Sequence, residues 1–146
     1  MIRFLLLLPL AVLLTAAGCN TTESVTPSAS VEVAATGDPI LLAVGEAVEV
    51  DGHALRFVDV VEDSRCPTNV VCVWEGRAKV QLSASSPEGN EARQVLTLPY
   101  SAMTDEEKAT WDIGGLTVTL HALLPYPDGE SATSTRQVEL RIVPAG

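Results

Sequence analysis

Leu116-Thr117-Val118-Thr119-Leu120-His121-Ala122-Leu123-Leu124 decides the fold. Side chains of a strand point alternately to opposite faces. A period of two therefore assigns Leu116, Val118, Leu120, Ala122 and Leu124 to one face and Thr117, Thr119 and His121 to the other. The same alternation recurs on either side of this stretch. Ala78, Val80, Leu82 and Ala84 alternate with Arg77, Lys79, Gln81 and Ser83, and Val138, Leu140 and Ile142 with Glu139, Arg141 and Val143. Val48 and Val50 alternate with Glu49 and Asp51. Strands with one apolar and one polar face belong to antiparallel sheets, because parallel sheets are covered on both faces.

The intervening segments supply turns and further strands. Asp51-Gly52 signals a tight hairpin, since glycine accepts a positive φ without a Cβ clash. The return strand, His53 to Val61, places Leu55 and Phe57 on one face and then slips at Val58, Val60 and Val61, which a bulge or burial on both faces would produce. Ile40 to Val44, a long Val71 to Ser85 segment and Gln94 to Leu98 complete the strand set, with Pro87-Glu88-Gly89-Asn90 and Gly114-Gly115 as turns. Ser101 to Trp111 is the single helical candidate, because Thr104 and Glu107 have capping-box spacing and Asp105 and Glu106 suit a helix N-terminus. The expected fold is all-β: an antiparallel β-sandwich (immunoglobulin-like) or a partly open barrel, with about seven strands and one short helix. Its core should be aliphatic, with Phe57 as the internal aromatic.

The N-terminus carries a different signal. Arg3 precedes an apolar run from Phe4 to Ala17, and Ala16-Ala17-Gly18-Cys19 closes it. The run is short for a bilayer span and has the form of an export signal. Small residues before a cysteine fit a lipoprotein signal peptide over residues 1–18, leaving Cys19 as the lipidated first residue, a palmitate-type membrane anchor. Ala16 stands where such signals usually carry leucine. An ordinary secretory signal cleaved after Ala17 or Gly18 is the alternative, and it would leave Cys19 free. Residues 19–37, rich in Thr, Ser and Ala, read as a flexible spacer, and 38–146 as a single β domain. The expected location is the cell envelope, and the outer membrane where there is one, because Asn20 rather than aspartate follows Cys19.

Charge and cysteine usage narrow the partners. The chain has 9 Lys and Arg against 19 Asp and Glu, a net charge of −10. Loss of Arg3 with the signal makes this −11. Such a surface repels nucleic-acid phosphates and anionic lipid headgroups, so no nucleic-acid partner is expected. With Cys19 lipidated, Cys66 and Cys72 form an even pair in an oxidising compartment and read as a disulfide. Buried free thiols suit the cytoplasm instead. A zinc site is disfavoured because two thiolates do not complete a tetrahedron and no histidine lies near them.

Asp63-Ser64-Arg65-Cys66-Pro67, four residues, then Cys72-Val73-Trp74-Glu75-Gly76 is the densest segment. It resembles a motif of small, largely uncharacterised bacterial lipoproteins and secreted proteins. The likeness extends more loosely to Gly115-Leu116-Thr117-Val118 and Leu124-Pro125-Tyr126-Pro127. It implies a domain type rather than an activity. The chain departs from the pattern at Thr135-Arg136-Gln137, where similar proteins show a tyrosine entering the last strand.

Read physically, the disulfide clamps a loop between two strands, Pro67 stiffens it, Trp74 can cover the bond, and Gly76 permits a bulge or close approach. Arg65 can pair with Asp63, Glu62 or Glu75. The same loop can serve as a preorganised binding element, with Arg65, Trp74 and Tyr126 as its interface residues. Tyr126, between two prolines, otherwise folds over the sandwich edge. Asp59, Glu62, Asp63 and Glu75 are the candidate ligands of a calcium-type cation, although their spacing matches no EF-hand.

Catalytic patterns are weak. There is no Gly-x-Ser-x-Gly elbow, phosphate loop or zinc-binding histidine pair, and bonded cysteines are unavailable for thiol chemistry. His53 reads as solvent-facing, and His121 as lying on the threonine face. The expectation is a non-enzymatic, lipid-anchored envelope module without a cofactor, structural or protein-binding, with metal or small-molecule binding as the alternative.

Overall fold

The computed structural model describes residues 31–32, 35–99, 107–128 and 134–146. Nine strands follow in order: β1 Val31–Glu32, β2 Pro39–Ala43, β3 Ala47–Val50, β4 His53–Asp63, β5 Ala78–Ser85, β6 Glu91–Leu98, β7 Thr110–Ile113, β8 Leu116–Leu124 and β9 Gln137–Pro144. They form two sheets, ordered β1-β3-β4-β5-β6 and β2-β9-β8-β7. All pairings are antiparallel except β1 with β3. The architecture is a β-sandwich and not a closed barrel. Its likeness to an immunoglobulin domain is one of layering, because β3 to β6 and β7 to β9 are consecutive meanders.

Hairpin chemistry sets the register. Asp51 (φ 48°) and Gly52 (φ 77°) both lie in the left-handed region, as a type I′ turn requires. Gly114 and Gly115 do the same between β7 and β8. The two sheets meet over Leu55, Phe57, Val80, Leu82, Leu96, Val118, Leu120, Val138, Leu140 and Ile142, each at most 1% exposed. Phe57 is the one aromatic among the fully buried side chains of the described residues. The chain crosses between layers at both edges. Gly45 N donates to Phe57 O and Phe57 N to Glu46 O, while Thr97 N donates to Lys108 O.

The slip in β4 is a bulge in two places, with register shifts between Phe57 and Asp59 and between Val60 and Glu62. In β8 the expected alternation holds only to Leu120. A register shift between Leu120 and Ala122 turns Leu123 into the core and leaves Ala122 and Leu124 half-buried. The Leu123-Leu124 doublet permits either residue to fill the inner position, and the bulge selects the first.

Three expectations are corrected. The helical candidate gives way to strand β7 at its C-terminal end, while residues 100–106 lie outside the described residues. Trp111 and Ile113 lean on the core while Thr110 and Asp112 face outward, the period of two of a strand. The long strand from Val71 is shorter, beginning only at Ala78. The folded body also starts before residue 38, since Val31–Glu32 pairs with Val48 and Glu49, Ala35 packs on the core, and Gly37 N donates to Ile142 O. β1 and β7 account for the two strands beyond the expected seven.

Candidate functional site

The ends of the sandwich differ. One end gathers the turns at 51–52, 86–90 and 114–115. His53 lies there, half-buried against Gly114 rather than facing solvent. A Cβ on Gly114 would fall 2.0 Å from the His53 imidazole, so a larger residue there would have to displace the ring. A cleft of about 520 Å³ at this end is lined by His53, Pro87, Glu88, Asn90 and Glu91 among others.

The other end carries the motif. Cys66 and Cys72 are bonded, with sulfurs 2.07 Å apart. The loop they close is fastened at four points. Ser64 N donates to Arg77 O (2.7 Å), Cys66 N to Glu75 O (3.0 Å), Val70 N to Pro67 O (3.3 Å), and Thr68 N to Pro127 O (3.0 Å). The last bond ties the disulfide loop to the Pro125-Tyr126-Pro127 loop. Gly76, at φ 70°, passes so close to Ser64 that an added Cβ would lie 1.9 Å from the Ser64 carbonyl oxygen.

Arg65 is the hub beneath the loop. Its side chain is 6% exposed and grips Asp63 with two bonds, Nε to Oδ1 at 2.7 Å and Nη2 to Oδ2 at 2.8 Å. Nη1 donates to Leu123 O at 2.6 Å, the carbonyl beside the β8 bulge, and Nη2 donates to Pro125 O at 3.3 Å. The guanidinium carbon lies 4.8 Å from the Tyr126 ring centroid, within cation–π range. Arg136 adds a second cation to the same carboxylate, Nη1 to Oδ2 at 2.6 Å. Burial alone would raise the Asp63 carboxyl, but hydrogen bonds and charge from Arg65, joined by Arg136, outweigh it and hold Asp63 below its ordinary range.

The candidate cation ligands have other partners. Asp59 accepts from Val60 N, and Glu62 from Ser64 Oγ and Arg77. Asp63 is held by its two arginines, and the Glu75 carbonyl accepts from Cys66 N. Among the described residues no group of three or more His, Cys, Asp or Glu side chains is arranged to hold a metal. Glu107, expected to cap a helix, instead pairs with Lys79 at 2.5 Å and Arg77 at 3.1 Å.

The three interface candidates divide. Arg65 is a buried support and not a surface group. Tyr126 is 45% exposed, lying beside Arg65 at a half-open cleft of about 270 Å³ whose lining includes Leu98, Pro99, His121 and Leu124. Trp74 does not cover the disulfide, because it is 81% exposed. The chain reverses within the disulfide loop, since Cys66 N bonds Glu75 O and Ser64 N bonds Arg77 O, which leaves Val73 (93% exposed) and Trp74 outside the sheets, close in sequence to the fully exposed Val71. Sequence reasoning missed Arg136. It lies 73 residues from Asp63 along the chain, and no local pattern links the two.

No protein-family model matches the chain, and searches of curated proteins and of solved structures return no match.

Proposed function

We propose that the chain is a lipid-anchored, non-enzymatic module of the cell envelope that presents the disulfide loop as a preorganised contact surface. One observation carries this reading. Val71, Val73 and Trp74 stand in solvent on a segment fixed by the disulfide, four backbone hydrogen bonds, a glycine that admits no side chain, and the buried Arg65–Asp63 pair. Contiguous exposed apolar side chains on a rigid frame mark interaction sites, because ordering them in advance removes most of the entropic cost of contact. The Cys19 anchor and the envelope location supply the setting.

The test is a photo-crosslinking residue at Val71, with a second at Glu88 on the opposite end, each in intact cells. Adducts at position 71 and none at position 88 support the reading. Equal or absent labelling at the two positions refutes it.

A further inference from the structure

We propose that the partner of the disulfide loop is the bilayer itself: Val70, Val71, Val73 and Trp74 seat in the boundary between headgroups and acyl chains of the membrane that holds Cys19. The inference rests on the contact-surface reading and names its occupant.

Composition favours lipid over a protein partner. From Cys66 to Trp74 there is no charged side chain, in a chain of net charge −10. Thr68 and Asn69 are the only side chains in that stretch with a hydrogen-bonding oxygen or amide. Charged side chains, Glu62, Glu75 and Arg77, meet Trp74 only at the base of the tip, a position that leaves them in the headgroup layer when the apolar residues above them are seated. A membrane asks only for apolar surface and favours tryptophan at its interface.

Polarity orients the molecule. At the disulfide end Asp63, Glu62 and Glu107 are paired with Arg65, Arg136, Arg77 and Lys79, whereas the opposite end carries Asp51 and Glu88 with Glu91 paired to Arg93, a balance that anionic headgroups repel more strongly. The disulfide end is the one suited to face lipid, with the acidic end turned away.

Chain reach permits it. β1 is parallel to β3 and runs away from the disulfide end, so the chain arrives at Val31 from the disulfide side. Val31 lies level with Val48 and, across β3, with Leu55. From Leu55 to Asp63 is eight residues of strand, about 26 Å. From Cys19 to Val31 is twelve residue steps, which span at most about 40 Å. The tether is long enough to set the loop on the bilayer and short enough to keep it there at high effective concentration. The apolar loop is then a second anchoring element added to the lipid on Cys19.

The experiment uses the mature lipidated protein in phosphatidylcholine vesicles with and without nitroxide-labelled phosphatidylcholine, read by tryptophan emission. Trp74 emission is expected to shift to the blue and to be quenched by the nitroxide. Both effects should be lost in Trp74→Phe, which leaves only the emission of Trp111, and strongly reduced in Val71→Asp. Because both side chains are exposed, neither change threatens the fold. Emission that is indifferent to the nitroxide overturns the inference. If vesicles fail but the position-71 probe in cells yields a protein adduct, the partner is a protein and the contact reading survives. If both fail, both readings fall.

Discussion

Removing the Asp63 carboxylate tests whether the Arg65 hub sets the stability of the domain. In the native fold the two side chains are 6% and 8% exposed and share two hydrogen bonds of 2.7 and 2.8 Å. In Asp63→Ala the guanidinium keeps the Leu123 and Pro125 carbonyls but loses its counter-charge in a site that water reaches poorly. Breaking a buried pair from one side costs about 3–5 kcal/mol, because an uncompensated charge is left behind. For a domain of this size each kcal/mol lowers Tm by about 4–6 °C, so the loss should be about 12–30 °C. The assay is thermal and urea unfolding of wild type, Asp63→Ala and the double variant Asp63→Leu/Arg65→Met. The double variant should recover most of the loss, since replacing both charges by apolar groups of similar volume is often near neutral. A loss below about 1 kcal/mol in the single variant would place the pair in the range of exposed ion pairs and refute the reasoning. The pH dependence gives a second reading. The Asp63 pKa is lower folded than unfolded, so its contribution is fully present above the ordinary carboxylate range near 4 and declines as pH falls through the depressed folded value. The stability gap between wild type and Asp63→Asn should therefore narrow as the pH is lowered from 6 towards 2, and a constant gap would contradict the assignment.

Gly76→Ala should destabilise by about 2 kcal/mol or more, from left-handed strain plus the clash with the Ser64 carbonyl, visible as a lower urea midpoint with unchanged slope. A neutral Gly76→Ala would show that the loop can relax away from Ser64. Replacing both loop cysteines, Cys66→Ser with Cys72→Ser, should cost about 2 kcal/mol by closure of a seven-residue ring and should increase hydrogen exchange at the Thr68 and Val70 amides. Cys19→Ser should move the protein from the membrane fraction to the soluble fraction of fractionated cells, and continued retention would defeat the lipid-anchor proposal.

Much of the fold was legible because a strand buried on one face writes its burial as alternation. Val138, Leu140 and Ile142 read correctly for that reason, as did the Asp51-Gly52 turn and the slip in β4. Residues 107–111 misled because Thr104 and Glu107 satisfy a local helix signal, whereas Trp111 answers to the core, which lies far away in sequence. The site was legible only in its local half. Asp63 and Arg65 are two residues apart, and the disulfide follows from counting. Arg136 and the Leu123 carbonyl join them through β8 and β9, and their separations of 73 and 58 residues leave no periodic trace. Trp74 was misplaced because a large apolar residue beside a disulfide reads as its cover, and nothing local shows that β5 begins only at Ala78.

The two-residue parallel strand β1 has a mechanical consequence. A pull from the N-terminal side meets the Val31–Val48 and Glu32–Glu49 pairs first, while β2 is held to β9 by five residue pairs. Stripping β1 and the segment up to Pro39 would release eight residues, about 27 Å of slack, with the core sheets still closed. Tension applied at the N-terminal side would therefore lengthen the chain ahead of Pro39 before the β2–β9 ladder is loaded.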